Sequence, residues 1–173
     1  MGFYDTYDLP ASIKQYLELS PVEDLLLIAL REYMPGVVIR TLIPDLDRVP
    51  FIQLRRNPGN GYWHGDPRFV DHAKIQVNTF TKDPDGDTKG ALWSEAVRVA
   101  FRKIGEDCYT HPQLGSITRI KMENEPARKS DWATATGPVQ YADLPTGIWR
   151  YETTYSVRIR KSKNTVPTTE ENA

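Results

Sequence analysis

Asp83, Asp85 and Asp87 alternate along the chain as the carboxylates of a calcium-binding loop do. An EF-hand loop beginning at Asp83 needs glycine at its sixth position and glutamate at its twelfth. This chain has Thr88 and Ser94 there, so the run is read as a turn leading into a helix cap. Gly59-Asn60-Gly61 invites a phosphate-loop reading, but the downstream glycine, lysine and serine or threonine are missing and no helix start follows. It too is read as a turn. Cys108 and His111 make half a zinc site, whereas a structural zinc takes four protein ligands. The other histidines, His64 and His72, stand in no CxxC or HxxxH spacing, so neither a metal nor another cofactor is expected. A Ser/His/Asp or Cys/His site converges only in space. No Gly-x-Ser-x-Gly elbow supports one, and the chain is not expected to be an enzyme.

Two other sets of side chains are suited to contact. Arg55-Arg56, Arg158, Arg160, Lys161 and Lys163 are the basic clusters, and clusters of this kind are usually solvated faces. Tyr62, Trp63 and Trp132 stand in polar, glycine- or proline-bearing segments. Exposed aromatic residues there suit protein contacts, where such residues are enriched; the plain alternative folds each onto its own domain.

Composition narrows the class. At 173 residues the chain fits one domain, and a domain of this size buries roughly 68–70% of its unfolded surface, enough to fold without staples. Lys plus Arg number 22 against 23 Asp plus Glu, a net charge of -1 that argues against general, tight nucleic-acid binding while leaving room for local basic patches. Cys108 is the single cysteine, so no intrachain disulfide forms. Met1 to Pro10 has no apolar run flanked by basic residues, and no signal peptide is expected there. The strongest apolar run, Leu25 to Leu30, is far shorter than the ~18 residues of a membrane span, so no membrane association is expected.

The elements that must hold these side chains follow from pattern. Ser20-Pro21-Val22-Glu23 reads as a helix start, with a serine cap, proline in the first turn and glutamate three residues after the cap. The helix runs through Leu25–Leu30 to about Tyr33 and stops at Pro35-Gly36. Strands are expected at Val37–Ile43, Phe51–Arg56 and Phe69–Thr81, the last with Ala73, Ile75, Val77 and Thr79 on one face. A second helix is expected from about Lys89 to Ile104, capped by Asp87 or Thr88, with Leu92, Ala96, Val99, Ala100 and Ile104 toward the core. A strand over Ser116–Glu123 and a long loop over 124–147 come next.

The final strand, Ile148–Arg160, is the clearest of all. Trp149, Tyr151, Thr153, Tyr155, Val157 and Ile159 share one face, so Tyr151 and Tyr155 are expected in the core or an interface. At about 3.3 Å per residue the strand spans roughly 40 Å, twice the usual length, and part of it is expected to project beyond the subunit's own sheet. The whole reads as an α+β domain over residues 1–160, a mostly antiparallel β-sheet with two α-helices packed on it and one long C-terminal strand. Residues 161–173 read as a polar, loose tail.

The order of segments resembles the tail terminator family of long-tailed (siphovirus) bacteriophages, especially those of actinobacterial hosts. A leucine-rich helix precedes Val37-Val38-Ile39-Arg40-Thr41-Leu42-Ile43-Pro44; then comes Val49-Pro50-Phe51-Ile52-Gln53-Leu54-Arg55-Arg56-Asn57-Pro58-Gly59. The aspartate-led strand 71–80, the alanine-containing helix 91–104 and the arginine-ended strand 150–160 complete it. The likeness covers roughly residues 20–160 and is one of pattern and order. The segment 124–147 and the polar tail depart from it.

The resemblance implies a virion protein without catalytic residues, made in the host cytoplasm. It would form a hexameric ring that caps the head-proximal end of the tail tube. Its partners would be the major tail tube protein and a head-closure or connector protein, with DNA passing through the ring without sequence-specific binding. Tyr62, Trp63, Trp132, Tyr151 and Tyr155 are then candidate subunit or partner contacts, and Arg55, Arg56, Arg158 and Arg160 candidates for lining the DNA channel. The alternatives are another neck component, such as a head-closure or adaptor protein, and a small soluble enzyme.

Overall fold

The computed structural model describes residues 21–42, 48–57, 69–129 and 147–162, together with Pro10. Helix α1, Val22–Tyr33, buries Val22, Leu25, Leu26, Ala29 and Leu30, a three-four spacing that puts one stripe on the sheet. Pro21 occupies its N-cap position without a side-chain cap, and Ser20 lies outside the described residues. The Glu23 carboxylate does not close a capping box. It accepts the backbone N–H of Arg56 and so ties the helix start to the end of a strand.

That strand is β2, Phe51–Arg56, and it sits where alternation places it. The preceding β1 is shorter than its β-branched sequence suggests: only Ile39–Arg40 pair, in parallel with Ile52 and Gln53 of β2. Strand β3, Val70–Lys82, pairs antiparallel with β2 and, on its other side, with β7, Ile148–Arg160. The β3–β7 ladder runs unbroken from Val70↔Arg160 to Lys82↔Ile148. The expected projection of the last strand is therefore corrected. All of β7 is used inside the sheet, because β3 is equally long and matches it residue for residue.

Strand β5, Gly115–Met122, flanks one half of β7, with a bulge between Ile117 and Arg119. Strand β6, Ala127–Lys129, flanks the other half and rises from a segment read as loop. A two-residue β4, Thr110–His111, closes the edge, giving the order β1-β2-β3-β7-β5-β4 with β6 on β7. The fold is α+β.

Helix α2, Gly86–Glu106, starts three residues before its expected beginning, after Asp85 in the left-handed conformation (φ 65°), with no side-chain cap. Its buried residues are Gly86, Gly90, Ser94, Val97, Ala100, Phe101 and Ile104. The expected core stripe is corrected: Leu92 is 62% exposed, Val99 is 40% exposed and Ala96 is also exposed. The physical reason lies at the two glycines. A Cβ on Gly86 would come within 2.2 Å of the Trp149 ring, and one on Gly90 within 2.6 Å of the Tyr151 ring. The helix turns its smallest side chains onto these rings, which swings the larger Leu92 and Val99 outward.

Candidate functional site

Antiparallel partners directly opposite each other project from the same side of a sheet, so the registers assign every side chain to one of two faces. The helix-covered face carries Ile52, Leu54, Ala73, Ile75, Val77, Thr153, Tyr155, Val157 and Ile159, all buried. Tyr155 packs edge-on against Phe101 of α2 with ring centroids 4.5 Å apart. Among the described residues its buried hydroxyl finds no hydrogen-bond partner, and burial raises its pKa well above the ordinary tyrosine value. Tyr151 is half-buried on the same face, and its hydroxyl donates to Asp87 Oδ1 at 2.6 Å. Burial and that hydrogen bond raise its pKa. Both tyrosines thus serve the contact between α2 and β7.

The aspartates that alternate in sequence are divided among separate tasks. Asp83 accepts Trp149 Nε1–H at 2.6 Å, Asp85 makes the left-handed entry to α2, and Asp87 takes Tyr151. Arg128 of β6 stacks over the Trp149 ring at 4.1 Å and reaches Asp87 at 3.7 Å, closing that end of the sheet against the helix. Cys108 is exposed, and His111 Nδ1 accepts the Gln113 N–H at 3.4 Å. Among the described residues no three His, Cys, Asp or Glu side chains come together to hold a metal ion. Gly59, Gly61, Tyr62, Trp63, His64 and Trp132 lie outside the described residues.

Among the described residues no helix packs on the other face of the sheet, and its two ends differ. At one end Phe51 stacks on Phe80 at 4.6 Å beside Ile148, all three buried, with Gln53 and Asn78 hydrogen-bonded next to them. At the other end the register sets Arg119 opposite Arg158, and Arg158 opposite His72. Arg160 lies between Ser116 and Val70, Lys121 and Lys74 flank Ser156, and Arg55 stands opposite Gln76. Arg55, Arg119, Lys121, Arg158 and Arg160 are exposed and Lys74 is half-buried. Lys121 reaches Glu123 at 3.6 Å. Among the described residues, Arg55, Lys74, Arg119, Arg158 and Arg160 form no side-chain ion pair or hydrogen bond. Among the described strand residues one acid lies on this face, Glu152, and it is occupied by Lys129 at 3.1 Å, Gln76 at 2.7 Å and Arg150 at 3.9 Å. A recess of about 480 Å³ opens where Thr118, Arg119, Arg158 and Arg160 meet Phe69 and Val70.

Of the four arginines singled out in sequence, three therefore share this open face. Arg56 does not. It points to the helix side and holds buried Asp71 with two hydrogen bonds, 2.8 and 3.1 Å. Arg119 and Lys74 join the cluster only through strand register, a signal that no linear spacing carries.

No family model matches the chain, and no curated protein matches it. Among solved structures, a chain from the virion of a native gene transfer agent particle superposes with a TM-score of 0.49 at 13% identity, covering 76% of this chain and 84% of that one.

The helix side offers one further surface. Leu92, Ala96 and Val99, with Tyr33 and Met34, line a groove between α1 and α2 that nothing among the described residues covers. Exposed Val38 and Leu42 follow closely in sequence after Met34.

Proposed function

We propose that this chain is a structural subunit of a phage-like virion, a tail terminator whose hexameric ring caps the head-proximal end of the tail tube and offers a joining surface to the head. The identity draws on the ordered segments that resemble that family. The described residues of these segments form α1, β1, β2, β3, α2 and β7, in that chain order, with β4, β5 and β6 between α2 and β7. The structural observation that supports assembly is the uncovered apolar stripe Leu92–Ala96–Val99 on α2. A contiguous apolar stripe on a soluble chain suits a contact surface, and a closed ring covers it in every subunit by repeating one heterologous interface.

The test is electron microscopy of the purified protein, alone and mixed with tail tubes. Six-fold rings at one tube end are expected. A protein that ignores tubes and binds DNA-filled heads would instead be a head-closure component, and another symmetry in the assembled neck would overturn the ring. Leu92→Asp is expected to keep its fold, since the side chain is 62% exposed, and to lose ring formation.

A further inference from the structure

We propose that the open basic end of the sheet binds the sugar-phosphate backbone of duplex nucleic acid directly, without regard to base sequence. The inference concerns the single chain and stands independently of the ring.

Three observations carry it. The first is charge without partners: Arg55, Lys74, Arg119, Arg158 and Arg160 lie on one side of four adjacent strands and none is neutralised by an acid among the described residues. In a chain of net charge -1 this is a segregation of charge. Nearby acids are mostly engaged elsewhere: Glu95 and Glu106 pair with Arg98 and Arg102 on α2, Asp71 is held by Arg56, and Glu123 lies beside Lys121. The second is the directly opposed pair Arg119↔Arg158. Like charges opposite each other destabilise a sheet, and an anion between them reverses the sign of the effect. The bulge at Thr118 sets up this opposition, because it shifts the β5 register just before Arg119. The third is the recess among Arg119, Arg158 and Arg160, a concave seat with the Thr118 hydroxyl on its rim.

The ligand class follows from what the face has and lacks. Guanidinium groups present forked donors that match phosphate oxygens. Single-stranded nucleic acid is held by bases stacking on aromatic side chains. Among the described residues the strands of the basic end project no Phe, Tyr or Trp on this side, and a single ring, Phe69 just before β3, lies at the recess, too little for successive bases to stack on; Phe51 and Phe80 are buried at the far end, and Trp149, Tyr151 and Tyr155 face the helix. A duplex, with its charge outside and its bases stacked within, suits such a surface.

The experiment is fluorescence anisotropy of the full chain with a labelled duplex of about 25 base pairs, over a salt series. Binding is expected to fall with salt, with a log–log slope near −0.9 per phosphate contact, and to be equal for unrelated sequences. Arg119→Ser/Arg158→Ser/Arg160→Ser should reduce the slope by roughly three and the affinity at least about tenfold, with a melting temperature no lower than the parent's. Arg55→Ser/Lys74→Ser, from the neighbouring strands, should reduce the slope by roughly two. Arg102→Ser on the helix side should change neither quantity. Several results would each overturn the proposal: no duplex binding at low salt, variants that bind as the parent does, or tighter binding to single strands. Preferred binding to polyglutamate or to phosphatidylserine vesicles would do the same, naming an acidic protein or a membrane as the ligand.

Discussion

The two faces of the central sheet are built by the same strands and obey opposite rules. On one side β7 offers Tyr155, Val157 and Ile159 to the helices, all buried. On the other it offers Arg158 and Arg160, both exposed and without acidic partners among the described residues. Adjacent Arg55 and Arg56 repeat the contrast within two residues: Arg56 holds a buried aspartate, while Arg55 reaches into solvent. The lesson is that residue type does not decide role here; face does. Burial is concentrated on the helix side and at the Phe51–Phe80 end of the other face, while the basic end keeps its charges in solvent.

This division breaks most visibly if a core substitution is harmless. Tyr155→Ala removes a ring packed against Phe101, and truncation of a large buried aromatic should destabilise by about 3–5 kcal/mol. Chemical denaturation should find most of the chain unfolded or insoluble, and a parent-like midpoint would refute the core assignment. Next in size is the arginine pair. Arg56→Ala strands Asp71, which is 2% exposed, and should cost about 2–3 kcal/mol. Arg55→Ala should stay within about 0.5 kcal/mol of the parent. Equal losses for the two, measured in the same denaturation series, would erase the distinction between the faces. A smaller effect is expected at Tyr151→Phe, which gives up the hydrogen bond to Asp87 and should cost about 1 kcal/mol.

The least effect is a shift with pH. Burial, followed by the hydrogen bond to Glu32, pushes the Tyr109 hydroxyl up to about 12. Its folded pKa exceeds the unfolded value near 10, so its contribution is complete below pH 10 and is lost as pH rises toward 12. Tyr109→Phe should flatten the alkaline limb of the stability profile between those limits.

Much of the fold was legible because period survives folding. The α1 span, β2 and the odd-numbered face of β7 lie where apolar spacing puts them. Other features depend on partners that local pattern cannot reveal. Val37–Ile43 has strand character, yet only Ile39 and Arg40 find an edge to pair with. β6 pairs through Ala127–Lys129, a segment of low strand propensity, because β7 leaves an open edge there. The core face of α2 was misread because hydrophobic size pointed to Leu92 and Val99. Close packing of Trp149 and Tyr151 rewards glycine at positions 86 and 90 instead. The basic face was half legible: Arg55, Arg158 and Arg160 stood out as clusters, whereas Arg119 and Lys74 became their neighbours only when β3 and β5 took their registers against β7.

The β3–β7 ladder also has a consequence for the order of events during synthesis. β7 is the last described strand in the chain, and it pairs with β3, β5 and β6 together. Until it emerges from the ribosome, β5 and β6 lack the neighbour that joins them to the sheet, and β3 has only β2 beside it. The contacts it then closes, from Val70 with Arg160 to Lys82 with Ile148, span most of the described chain. Such non-local closure is slow, because the entropy of the intervening chain is lost before the contacts reward it. Folding should therefore be a concerted event that waits for β7, with the earlier helices and the β2–β3 pair held until that strand joins them.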